Sequence, residues 1–590
     1  MSERGQLRRF AGLVVASGLV AGLVAGCGIP DYTEVKVDRA GPVSGSDQQA
    51  DPELVPPDRL AAADIQGFVA NYLTAAAGEF APGGKREQRV RDFVAGAAPS
   101  LDNVNVVEVQ SIVVKPNDTD VELTVRHLGR LDGQGKISPP DEGTTRYQLQ
   151  VKAEEDGRWR LTKVPPEALL DFDALTTYYT ERTLYFWNPD HSALVPDLRW
   201  LPREVPNSRV PTELLEMIEG GPSPWLGNAV LGLPADSKLL TNAPIDNDLL
   251  TMNWSPAVGN DEHDYLAQQV AWTMRGSGLS PRWLQIKING QAQAKQDVND
   301  LLRRTPYPID AEPHAYAILD KKVSALTEPA GTPAPVPLAA ALNQNVRWAA
   351  FNRTANGYDA AIVKGDKLQV GSGAGAVTEL TEVPGVAAAS PPVWLPNSRM
   401  GLVVGTDKRL YVFDVDRTAR RLAPTGLRDI TAVAAAPDGQ RIAVIAGGRV
   451  YVLPLSITAE GLKLVAPRSV IAPLRDLKAV AWSGENSLSI AGTDGSERLS
   501  IIDVTVDSAR RTPRIYDAHG DVEMIAAYPE TTALGRTSST LLYQADGATW
   551  LALGTSTKLG RSALDGPAPT PSASSDGQPQ TEPIAPFFVY

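Results

Sequence analysis

From Asn343 to about Gly560 the chain keeps repeating one pattern: a short apolar strand, a turn, a second strand, a tight turn and a third strand. Five segments share it, beginning at "NVRWAAF", "SPPVWLP", "ITAVAAAP", "LKAVAWSG" and "VEMIAAYP". Their first turns carry Pro396, Pro437, Gly484 and Pro529, which recur every 41 to 47 positions. Self-similarity at a period of about 40–50 residues marks propeller blades. Each blade buries its faces against its neighbours, and closing the ring protects the outermost strand edges. The pattern therefore predicts a β-propeller of five or six blades over residues 343–560, with one strand crossing between the ends to close it. Trp348, Trp394 and Trp482 read as equivalent strand positions in the blade core, not as an exposed sugar-binding platform.

The upstream chain has a different texture. In "DIQGFVANYLTAAAG", Ile65, Phe68, Val69, Tyr72 and Leu73 recur at helical spacing, with Gly78 placed to stop the helix. A weaker helix follows near residues 86–95. The period then becomes two, at Val121, Leu123 and Val125, at Tyr147, Leu149 and Val151, and at Trp159 and Leu161. Helices followed by a meander closing on "DGRWRLTKVPP" resemble the NTF2-like class, an α+β fold, here over residues 58–175. That class includes enzymes whose pocket holds an acid/base pair, but the sequence does not single out inward-facing pocket residues here, and the expectation is a membrane-proximal spacer or docking domain.

A second domain opens at "RTLYFWNPD" and continues through the helix "VPTELLEMIEGG", with Pro211 in its first turn. Strands are expected at "AVLGLP" and "LLTMNWS", then a helix in "DYLAQQVAWTMRGSG", then "RWLQIKING" with an Asn289-Gly290 hairpin turn. This α/β order resembles the GerMN domain over residues 182–292 and implies scaffolding and binding rather than chemistry. Residues 293–342 read as a connecting segment and 561–590 as a disordered tail.

A chain of 590 residues with one cysteine has no internal disulfide, so each domain relies on its own core. That cysteine, Cys27, follows Arg4, Arg8, Arg9 and an apolar run from Ala11 to Val24. The order of basic, apolar and small residues is that of a secretory signal, over residues 1–26. The run is shorter than the ~20 residues of a membrane-spanning helix. Val24, Ala25, Gly26 and Cys27 resemble the lipobox of bacterial lipoproteins. The resemblance implies cleavage between Gly26 and Cys27, a diacylglyceryl thioether and an N-acyl group on Cys27, and a tether over residues 27–57. Two or more acyl chains, at ~0.8 kcal/mol per buried methylene, hold a chain firmly on a membrane.

The formal net charge is −13, and losing residues 1–26 (three Arg, one Glu) takes it to −15. Such a surface argues against nucleic acid, whose phosphates need clustered cations. His127, His191, His263, His314 and His519 lack metal-ligand spacing, with His263 and His314 read as solvated. "VGSGAGAV" at 370–377 lacks the surrounding βαβ unit of a phosphate cradle and reads as a glycine-rich propeller loop. Asp414 and Asp416 read as a strand end and its turn. No Gly-x-Ser-x-Gly elbow occurs around a nucleophile. The expectation is a non-enzyme with no cofactor and no metal.

Taken in order, lipobox, NTF2-like domain, GerMN domain and propeller resemble the LpqB family of actinobacterial lipoproteins across residues 1–560. The resemblance implies a lipid-anchored protein on the extracytoplasmic face of the cell membrane. It also implies a partner, the extracytoplasmic domain of an MtrB-like sensor histidine kinase, and a role in two-component signalling, cell-wall homeostasis and division. The alternative is a lipoprotein that binds a cell-wall glycan or another small ligand; an envelope hydrolase is a third reading.

Overall fold

The computed structural model describes residues 55–589, apart from 81–83, 117–118, 141–142, 156, 259–261, 308, 310–313, 328–333, 397, 423–425, 459–460, 533–534, 536–537 and 565–580. The lipobox residues Val24, Ala25, Gly26 and Cys27, and the tether up to residue 54, lie outside the described residues.

The N-terminal region is an α+β layer. Helix Ile65–Tyr72 starts at Asp64, whose carboxylate accepts the Gly67 N–H at 2.7 Å, and buries Phe68, Val69 and Tyr72. Helix Lys85–Phe93 adds Val90 and Phe93 to the same core. Both pack on a sheet in the order Trp159–Lys163, Thr144–Ala153, Asp120–Asp132, Ser100–Val114, Glu167–Asp171, the last pair parallel. The alternation expected at 121–125 and 147–151 is present as a register in which Val121 faces Leu149 and Leu123 faces Tyr147.

The second region departs from expectation in two places. The segment "AVLGLP" is not a strand: Ala229 ends a short 3-10 turn, Pro224–Ala229, and the chain runs on irregularly. Strand Leu194–Pro202, whose alternation is hidden because nearly every residue is buried, instead pairs with Tyr179–Trp187. Leu249–Trp254 and Trp283–Ile288 run parallel, joined through helix His263–Gly276. The Asn289-Gly290 turn has φ of 47° and 83°, the paired positive angles of a type I′ hairpin, and leads into Gln291–Ala292.

The propeller has six blades. Five are contiguous in sequence, with innermost strands Trp348–Thr354, Val393–Trp394, Ile430–Ala435, Arg475–Trp482 and Val522–Tyr528. Pro396, Pro437, Gly484 and Pro529 all fall in the turns leaving these strands. The sixth blade is built from both ends of the domain: His314–Leu319 and Lys322–Ala325 precede blade 1, while Ile584–Val589 supplies the innermost strand. Two expectations are thereby corrected. The segment 293–342 is not merely a connector, since it holds two strands of blade 6. Nor is the end of the segment 561–590 a disordered tail: its apolar "IAPFFV" is a strand paired with His314–Leu319, covering an edge that would otherwise lie open. The histidine reading changes with it: His314 is half-buried in that blade, and His263 is buried at the start of its helix.

Candidate functional site: the propeller channel and its docked face

The six innermost strands are edge strands, so their unpaired N–H and C=O groups line the axis of the ring. Small residues keep the bore open, among them Ala349, Ala350, Ala432, Ala434, Ala479 and Ala526. The result is a cavity of ≈ 280 Å³. Two tryptophans tie neighbouring blades beside it. Trp394 Nε1 donates to the Ala350 carbonyl at 3.1 Å, and Trp482 Nε1 donates to the Ala434 carbonyl at 3.3 Å. Trp348 is not their equivalent. It begins its strand instead of ending it, and the Arg347 guanidinium lies 3.9 Å over its ring.

The polar side chains around the bore are bonded to nearby side chains and backbone groups. Gln544 Nε2 donates to Glu523 at 2.5 Å while Gln544 Oε1 accepts the Ala585 N–H at 2.7 Å. Lys478 pairs with Asp521 at 3.3 Å, and Asn352 Nδ2 donates to the Ser398 carbonyl at 3.0 Å. Such a channel can hold a ligand by backbone and amide hydrogen bonds. Among the described residues, no group of three or more His, Cys, Asp or Glu could hold a metal ion.

One end of the ring is occupied. At the turns leaving the innermost strands of blades 3 and 4, Arg441 and Glu485 reach the second region, and Thr532 of blade 5 braces Glu485. The buried Arg441 guanidinium donates to Asp438 at 2.6 and 2.9 Å, to Asn486 at 3.2 Å and to the Pro196 carbonyl at 3.1 Å. It also lies 4.9 Å over the Trp482 ring. The Glu485 carboxylate accepts from the Tyr185 hydroxyl at 2.9 Å, the Tyr307 hydroxyl, and the Thr532 N–H and Oγ1 at 3.2 and 3.1 Å. Burial pushes the Glu485 carboxyl above the usual carboxylate range, against the pull of these donors. Trp200 Nε1 donates to Asp507 at 2.7 Å. The N-terminal region joins the assembly through Arg511 with Glu108 at 3.0 Å and Arg468 with the Ile137 carbonyl at 2.7 Å. Sequence reasoning missed all of these residues, because they are single polar side chains in strands and turns whose cross-region partners lie far away in the chain.

The glycine run at 370–377 has a packing explanation. A Cβ on Gly371 would sit 2.0 Å from the Glu379 carbonyl oxygen, and one on Gly373 2.1 Å from that of Ala376. Asp414 caps its own turn, accepting from the Thr418 N–H at 3.0 Å.

These features define a class: a multidomain protein in which α+β regions are locked onto one face of a six-bladed propeller. The family model described as "Lipoprotein LpqB beta-propeller domain" matches residues 322–559, and the GerMN model, described as "Sporulation and spore germination", matches 183–294. A protein named Lipoprotein LpqB from Corynebacterium jeikeium is 26% identical over 560 residues, covering 84% of this chain and 86% of its own. Its namesake from Mycolicibacterium smegmatis is 25% identical, over 88% and 92%, and that from Mycobacterium tuberculosis 22% identical, over 76% and 81%. A chain in a nidogen/laminin complex overlaps 47% of this one and 98% of its own, with a TM-score of 0.32 and 12% identity. Along most of its length the chain is thus similar to actinobacterial proteins named Lipoprotein LpqB, and the propeller and GerMN family models both match it.

Proposed function

We propose that this chain is a binding lipoprotein, tethered through Cys27 to the extracytoplasmic face of the cell membrane. In this reading it engages the extracytoplasmic domain of an MtrB-like sensor histidine kinase and adjusts its output in cell-wall homeostasis and division. Kinship with the LpqB lipoproteins along most of the chain carries the reading. The interlocked architecture supports it. One propeller face is sealed against the rest of the chain by Arg441 and Glu485, which leaves the opposite face, with Lys478 and the exposed Tyr516, free to meet a partner. Sharing one membrane raises the effective concentration of both proteins, so a modest interface suffices. Among the described residues no helix is long and apolar enough to cross a membrane.

The test uses cross-linking in membranes and phosphorylation of the kinase's response regulator. Because the regions interlock, surface substitutions serve better than domain deletions. Lys478→Glu combined with Tyr516→Ala should reduce kinase capture and change regulator phosphorylation. Unchanged phosphorylation with no kinase captured by the parent chain would end this reading. The second reading, a small ligand or cell-wall glycan in the ≈ 280 Å³ channel, is favoured by that cavity. It predicts capture of cell-wall material in place of a kinase.

A further inference from the structure

The core of the N-terminal region breaks its own pattern at one edge. On strand Asp120–Asp132 the inward positions are Val121, Leu123 and Val125, and the next is His127, which is buried. On the neighbouring strand, Val151 and Leu149 are inward and apolar, while Tyr147 and Thr145, opposite Leu123 and Val125, continue that face. Three hydrogen-bonding side chains thus occupy positions that a purely structural core would fill with hydrocarbon. Departures of this kind are expected at functional sites.

They converge. His127 Nε2 lies 3.1 Å from Thr145 Oγ1 and 3.4 Å from the Tyr147 hydroxyl, with the two rings edge to face at 6.2 Å. Across the opening, Asn105 Nδ2 donates to Glu167 Oε2 at 2.8 Å. The two groups line a second cavity of ≈ 280 Å³, together with Pro165 and Pro166. That is close to the lower bound of ordinary ligand pockets, ~300 Å³. An amide beside a carboxylate, two hydroxyls and an imidazole offer donors and acceptors all round, while the proline rings offer an apolar wall. Of the described residues around it, Glu167 alone carries a carboxylate, which favours a cationic substituent on the ligand.

We propose that this cavity binds a small polyhydroxylated molecule of monosaccharide size, with an amino group preferred over a hydroxyl and a carboxylate disfavoured. The site is separate from the propeller, and its existence does not depend on the kinase reading. The test titrates the full chain with glucosamine, glucose and glucuronate, followed by saturation-transfer NMR. Glucosamine should bind tightest and glucuronate weakest. Thr145→Val keeps the side-chain shape and should weaken all three by roughly fivefold, the worth of one hydrogen bond. Glu167→Gln, at an exposed position, should bring glucosamine and glucose to within twofold of each other. Thermal melts of both variants check that the fold is intact. The proposal is overturned if none of the three sugars binds at millimolar concentration. It is equally overturned if binding is indifferent to Thr145→Val, or if the order of the three sugars is unrelated to charge.

Discussion

Blades 1 to 5 and blade 6 present the same architecture assembled in two ways. Each of the first five is a contiguous meander, so its strands meet after short turns. Blade 6 pairs His314 with Val589, so its strands come from the two ends of the domain. Like blades 1, 3, 4 and 5, it carries a register irregularity. The register shifts between Tyr316 and Ile318, and Ala585 adopts φ of 50° beside the channel. Contiguous blades owe their form to local pairing, which is cheap in loop entropy, whereas the closing blade depends on a long-range contact that costs more of it. The closing strand is short, but Phe587 and Phe588 fasten it: Phe587 stacks at 5.5 Å from Tyr316, and Phe588 lies 5.7 Å from Tyr528 of blade 5.

The largest expected effect breaks the closure. Ending the chain at residue 580 removes Ile584–Val589 and exposes the flanks of blades 1, 5 and 6 together. Cooperative unfolding should be replaced by an aggregation-prone species with a melting temperature lower by more than ten degrees, measured by calorimetry. A fragment of residues 343–560 should fail in the same way, because it lacks all three strands of blade 6; restoring 314–325 and 581–590 should recover a cooperative melt.

A smaller effect tests how the contiguous blades hold the rest of the chain. Glu485→Ala leaves the hydroxyls of Tyr185 and Tyr307 buried without their acceptor. It should cost about 3 kcal/mol, within the range for breaking a buried charged network. The readout is urea denaturation, with earlier proteolysis between the second region and the propeller.

Next comes the pH dependence of the same docked face. Glu181 sits 2.5 Å from Arg510, yet burial pushes its carboxyl up to about 7. A carboxyl that holds its proton more tightly folded than unfolded lowers stability once it ionises. That cost is therefore fully present above about pH 7 and fades as the pH falls toward 4.5. Glu181→Gln should be more stable than the parent at pH 8 by about 1 kcal/mol, a figure reduced for the solvent that reaches the pair. The two proteins should converge near pH 5. The smallest effect returns to blade 6: Ala585→Gly removes a left-handed alanine and should stabilise the closed ring by up to ~1 kcal/mol in urea melts.

Short-range physics made much of this molecule legible in one dimension. Alternation at Val121, Leu123 and Val125, the Asn289-Gly290 turn and the recurrence of Pro396, Pro437, Gly484 and Pro529 each depend on neighbours a few residues away. The repeat located five of the six blades. Where burial covers both faces of a strand, as at Leu194–Pro202, the alternation vanishes and so does the signal. Long-range juxtaposition was decided only in three dimensions. Nothing near "IAPFFV" names His314–Leu319 as its partner, and nothing near Glu485 names Tyr185 or Tyr307. His127, Thr145 and Tyr147 likewise read as scattered polar residues until strand pairing sets them on one face. Local propensity selects the strands and turns, but which edges remain to be covered, and by what, is settled by burial across the whole chain.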